Sequence, residues 1–133
     1  MDLSDITTDD IRVATNINGR LKNFVARAIK QRTKDGEKSA YYPNIRFEDF
    51  IEKVGPNPTC YLSGKPIDLR KLGEWEMDHI VAVTAGGGGE IDNLGITLKE
   101  HNRMKFNHSL EHFISLCKEV VENNGYEVKK KAN

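Results

Sequence analysis

The four histidines of this 133-residue chain, His79, His101, His108 and His112, all fall within 34 positions. Asp78 directly precedes His79, Asn93 follows a run of four glycines, and His101-Asn102-Arg103-Met104-Lys105 comes soon after. These residue types suit acid–base work on a charged substrate. Imidazole exchanges protons near neutral pH. Carboxylate and amide oxygens suit hard divalent cations, and guanidinium and ammonium groups hold phosphate. Asp78 and His79 pose a geometric problem, because neighbours on a regular strand point to opposite faces. Only a bend at the strand end, or approach from another angle, lets both serve one site.

The surrounding sequence predicts the elements that hold these residues. Trp75 to Thr84 reads as a strand, with Ile80, Val81 and Val83 favouring extended backbone. Ala85 to Asn93 reads as a loop, since four consecutive glycines are costly to order in a helix or strand. No G-K-[ST] follows it, so it is no phosphate-binding loop and reads as the variable loop of a hairpin. Leu94 to Thr97 is a short second strand, and Lys99 to Phe106 is helix-compatible. Ser109 caps a last helix over Leu110–Asn123, with Phe113, Leu116, Cys117, Val120 and Val121 expected inward. Upstream, Thr7, Thr8 or Asp9 caps a long helix from about Ile11 to Thr33, whose stripe is Val13, Ile17, Leu21, Phe24, Val25, Ala28 and Ile29. Residues 34–38 read as a loop. Arg46–Val54 reads as a short amphipathic helix, with Phe47, Phe50, Ile51 and Val54 on one side, broken by Gly55-Pro56-Asn57-Pro58. Cys60 to Lys65 looks like a tight turn.

Charge is segregated beneath a net total of zero. Residues 1–11 carry four acids and no base. Residues 12–46 carry nine bases against two acids, a net of +7 that can neutralise several phosphates. Arg20, Lys22, Arg27 and Lys30 lie largely off the apolar stripe. Composition, 38% hydrophobic and 30% charged, is that of a soluble domain with one modest core. No run approaches the ~20 apolar residues of a membrane span. The acidic start lacks the apolar stretch of a secretory signal, and two cysteines are too few to staple a fold. A cytoplasmic protein is the expectation.

Asp78-His79-Ile80, then Asn93-Leu94 fourteen residues after the histidine, then Asn102-Arg103-x-Lys105 nine residues further on, resembles the motif of the HNH endonucleases. That family has the ββα-metal fold and includes colicin DNases, phage resolvases and many homing and restriction endonucleases. The likeness covers roughly Cys60 to Ser109. It implies that His79 is the general base, that Asp78 and Asn102 ligate one divalent ion, and that Asn93 ties the loop so that a backbone carbonyl orients the His79 ring. Arg103 and Lys105 would hold a neighbouring phosphate. An H-N-N rather than H-N-H pattern, with one anionic and one neutral oxygen ligand, makes Mg²⁺ the first choice and Mn²⁺ the second. Many relatives add a structural zinc between two C-x-x-C knuckles. The matching positions here are Cys60 and Ser63, then Leu98 and His101, which cannot supply four ligands. No structural zinc is expected, and packing around Leu62, Ile67, Leu69, Leu98 and the last helix must hold the fold instead.

The expectation is therefore an α+β chain. Residues 1–56 form a basic, helical, DNA-contacting extension packed on the core. Residues 57–126 form a ββα-metal HNH nuclease domain with a C-terminal helix, and residues 127–133 a basic tail. The implied activity is metal-dependent hydrolysis of DNA phosphodiesters, by nicking or double-strand cleavage, with phosphate contacts from Arg20, Lys22, Arg27 and Lys30. Small free-standing HNH proteins resemble phage-encoded and homing-type enzymes of bacterial or phage-infected cells. DNA is the expected partner, with no membrane role, for a monomer or homodimer. The alternative is a DNA-binding protein on an HNH scaffold that does not cut. His101 reads as a packing or surface residue, His108 and His112 as surface or partly buried with His108 the better candidate for a phosphate contact, and Tyr41-Tyr42 as core or turn packing rather than base stacking.

Overall fold

The computed structural model describes residues 5–37 and 41–132. Asp2 of the acidic start and Lys38 at the end of the expected 34–38 loop lie outside them. Helix α1, Thr8–Lys34, starts on a capping box: Thr7 Oγ1 accepts from Asp10 N at 3.1 Å, and Thr7 N donates to Asp10 Oδ2 at 2.9 Å. The box places the helix start three residues before the expected Ile11. Val13, Ile17, Leu21, Phe24, Val25 and Ala28 are buried along one stripe. Helix α2, Phe47–Val54, buries Phe50 and stops where Gly55 takes φ 71°. Ile51, expected on its apolar side, is exposed.

The chain then makes the expected turn at Cys60–Lys65, where Gly64 takes φ 74° and Cys60 N donates to Lys65 O at 2.8 Å. Strand β1, Trp75–His79, pairs antiparallel with β2, Leu94–Leu98, from Trp75↔Leu98 to His79↔Leu94. The strand is half the length expected from its β-branched residues. After His79, Ile80 N donates to Asn93 O at 2.9 Å, and the Asn93 side chain captures both the N–H and C=O of Val81. The chain is thereby turned into a 3₁₀ turn at Val83–Ala85.

The glycine run is not a slack connector. Gly87, Gly88 and Gly89 are buried, and a Cβ on Gly87 would lie 1.7 Å from Val81 O. Helix α3, Lys99–Lys105, follows β2 directly and ends at Phe106. Helix α4, Leu110–Asn123, has the expected bounds and the expected Ser109 cap, with His112 N donating to Ser109 Oγ.

The described residues thus form a mixed α+β fold with four α-helices and a two-stranded antiparallel sheet. One core joins the α1 stripe, Phe50, Cys60, Ile67, Trp75, Leu94 and Ile96, with Leu62, Leu69 and Leu98 packed against it. Contrary to expectation α4 contributes no buried residue, and Val120 is 62% exposed. No helix among the described residues is long and apolar enough to cross a membrane.

Two glycines separate crowding from propensity. Gly19 lies mid-helix in α1 with open space around its missing Cβ. Gly19→Ala is expected to raise stability by about 0.5–1 kcal/mol. Gly87→Ala must displace the Val81 carbonyl and is expected to cost about 1–3 kcal/mol. Urea unfolding of both variants checks this; equal effects would refute the crowding argument.

Candidate active site

Asp78 projects toward α3. Its Oδ2 accepts from the Tyr61 hydroxyl and faces the Lys105 ammonium at 3.3 Å. Lys105 is only 1% exposed and Asp78 17%, so the pair is largely withdrawn from water. Glu76, two positions earlier on the same face of β1, accepts from Asn102 Nδ2 at 3.3 Å. The Tyr61 ring lies over Gly95, the residue opposite Asp78 in the ladder. A Cβ there would come within 2.7 Å of the ring. Burial, reinforced by the Asp78 carboxylate, pushes the Tyr61 phenol well above its usual range, so it stays a hydrogen-bond donor.

His79 projects to the other face, beneath α1. Its ring stacks on Phe24 with centroids 3.9 Å apart and planes 6° from parallel, and it is 5% exposed. Nε2 lies 2.9 Å from Phe24 O. A carbonyl only accepts, so Nε2 carries the proton and the lone pair of the neutral ring is on Nδ1. Burial holds His79 below the usual histidine range and the Arg27 charge adds to this, against the opposing Phe24 carbonyl, Asp78 and Glu90. The ladder is regular through His79↔Leu94, so Asp78 and His79 face apart, and the chain bends only after them, at Ile80 and Val81. The backbone carbonyl that faces the ring comes from α1. Asn93 does tie the glycine loop: Nδ2 donates to Val81 O at 3.1 Å and Gly88 O at 2.9 Å, and Oδ1 accepts from Val81 N at 2.9 Å.

A cleft of about 450 Å³ opens between α1 and β1, reached by His79, Glu76, Asn23, Arg27, Lys99 and Arg103. Glu76 and His79 alternate along β1, yet both reach this cleft. Among the described residues β1 pairs on one side only, with β2. A group at a strand edge can meet side chains from both faces.

The expected phosphate contacts divide. Arg27 and Arg103 are exposed and meet at the cleft; Lys22 and Lys30 are exposed on α1 outside it. Arg20 and Lys105 do not serve as free phosphate ligands here. Arg20 donates to Trp75 O and Leu72 O and lies 4.5 Å over the Trp75 ring. Lys105 is buried on Asp78. The sequence points to phosphate contact for both because nothing local in it names a partner 55 or 27 residues away.

Glu76, Tyr61 and Lys99 were missed. Period-2 alternation with Asp78 points to Glu76, whereas Tyr61 has no local signal. Cys60 and His101, two of the four knuckle positions, do converge, with Sγ 3.8 Å from Nδ1 and 3.3 Å from Thr97 Oγ1. Burial pushes the Cys60 thiol up, but hydrogen bonds with Ser63, Thr97, His101 and the Leu98 N–H outweigh it and bring it to about 6. His108 and His112 pack edge to face, 4.9 Å apart.

Among the described residues no group of three or more His, Cys, Asp and Glu is placed to hold a metal ion. The donor chemistry suits a hard cation on a smaller set. Asp78 binds Tyr61 and Lys105 through Oδ2, and Asn102 binds Glu76 through Nδ2, which leaves one Oδ1 on each. Comparison with known proteins returns no matching family model, no matching curated protein and no matching solved structure.

The buried His79 makes stability depend on pH. Its folded-state affinity for protons is below the unfolded value of about 6.5, so the unfolded chain binds more protons below that pH and stability falls. The melting temperature is expected to drop between pH 7 and pH 5. His79→Phe, which keeps the stack on Phe24, should flatten the drop; an unchanged pH slope in that variant would remove His79 as its source.

Proposed function

We propose that this chain is a metal-dependent DNA endonuclease of the HNH type, built on a ββα-metal core. One observation carries the reading: residues spread over Asp78–Lys105 gather in one hairpin–helix unit, with Lys105 3.3 Å from Asp78, Asn102 on the neighbouring Glu76, and Asn93 fixing the chain just beyond His79. Asp78 and Asn102 would hold a divalent ion, Mg²⁺ first and Mn²⁺ second. When bound, that ion supplies positive charge against the charge building on the phosphate.

The remaining chemistry belongs to the chain. The scissile phosphate takes the unpaired edge of β1, the place where groups from both strand faces are in reach. His79 Nδ1 accepts the proton of the attacking water as its oxygen bonds to phosphorus. The bond to the leaving 3′ sugar oxygen breaks; that oxygen takes a proton from solvent water to become the 3′-hydroxyl, and the other fragment keeps a 5′-phosphate. Arg27 and Arg103 steady the phosphate, and exposed Lys22 and Lys30 add contacts independent of base sequence.

A specific observation favours a second reading, a DNA-binding scaffold that does not cut: His79 lies under α1, and Lys105 already neutralises Asp78. Supercoiled plasmid separates the two. Nicking is expected with Mg²⁺ or Mn²⁺ between pH 6 and pH 9, and EDTA should stop it. His79→Ala should slow it by about 10²–10⁴-fold while DNA retention persists. DNA retained in a salt-dependent way but never cut would favour the scaffold. No retention at any salt would sink both.

A further inference from the structure

Lys105 sets its ammonium against the carboxylate that the nuclease reading gives to a metal. Nζ lies 3.3 Å from Asp78 Oδ2, which also accepts from the Tyr61 hydroxyl, and the lysine is 1% exposed. We propose, resting on that reading, that Lys105 holds the divalent ion off the free protein, so that the ion settles on Asp78 and Asn102 only together with a phosphodiester. Metal and DNA then bind as one linked event, each raising the affinity of the other.

Glu76, on the cleft, and Asp78 are set against five cations: Lys105 on Asp78, and Arg20, Arg27, Lys99 and Arg103 around the cleft. A divalent ion adds to that excess unless a polyanion arrives with it. Burial makes Lys105 its strongest opponent. Out of water the ammonium is poorly screened, and it cannot swing aside as a surface lysine would. If the ion displaces it from Asp78, a buried ammonium is left without a partner, which is costly. Donor number leads to the same place. Asp78 and Asn102 leave one Oδ1 each, and no group of three or more His, Cys, Asp and Glu among the described residues adds to them. Mg²⁺ demands an octahedral oxygen shell, and substrate phosphates commonly supply part of it. The phosphodiester brings both things that the protein side is short of, oxygens for the ion and negative charge against the cations.

Uptake of Mn²⁺ alone by the full chain, read from the loss of the free-ion electron paramagnetic resonance signal, needs no turnover. Lys105→Gln, checked for folding by circular dichroism, should bind Mn²⁺ about 10–100-fold more tightly than the unaltered chain when no DNA is present. The DNA arm uses His79→Phe, which leaves the duplex uncut. A short duplex, corrected for the Mn²⁺ it takes up by itself, should tighten binding by a similar factor, and adding Lys105→Gln should shrink that gain. An unaltered chain that binds Mn²⁺ without DNA as tightly as Lys105→Gln overturns the proposal and leaves the nuclease reading standing. So does a duplex that changes nothing in His79→Phe, whether or not Lys105→Gln folds. Mn²⁺ bound by no variant, with or without DNA, removes the metal site and the nuclease reading with it.

Discussion

A two-stranded hairpin is not stable in water by itself, and every other feature of this chain follows from how that deficit is met. Helix α1 lies across one face of the β1–β2 pair. Phe24 stacks on His79, and Arg20 lies over Trp75 while donating to the Trp75 carbonyl. Phe50 of α2 packs on the same tryptophan, 6.2 Å between centroids. The basic helix α1 is therefore structural before it is anything else, and only its outward cations remain for a polyanion. Covering the hairpin also desolvates the histidine best suited to acid–base chemistry. What remains open to it is the cleft between α1 and β1.

The opposite face meets a different constraint. A buried ammonium is costly unless paired, and Lys105 has the Asp78 carboxylate, itself held by Tyr61. Deleting one member of such a pair typically costs about 3–5 kcal/mol, because the other charge is left stranded. The arrangement stores a negative group in a dry setting with its charge already balanced, and any cation arriving at Asp78 enters a site that holds one.

Much of the scaffold was legible in the sequence because its signals are local. The Thr7 and Ser109 caps, the α1 stripe, the Gly55 stop and the bounds of α4 each depend on residues within a turn or two. The length of β1 was not. Ile80, Val81 and Val83 favour strand, but one asparagine 12 residues later takes both backbone groups of Val81. The roles of Arg20 and Lys105 were hidden for the same reason, since a cation's partner depends on tertiary placement and not on its neighbours. That Asp78, Asn93 and Asn102 lie on one hairpin and the helix that follows it was readable from order and spacing. That Asp78 and His79 face apart follows from strand alternation, and the sequence contains nothing that would reveal which carbonyl meets the histidine.

The Tyr61 ring fits over β2 only because residue 95 has no side chain, and the hydroxyl of that ring is what reaches Asp78. The two positions are thus a single variable. Any larger residue at 95 requires a smaller one at 61, and a smaller one forfeits the hydroxyl. Descendants of this sequence can drift at most surface positions one at a time, but here they must cross a gap that no single replacement spans.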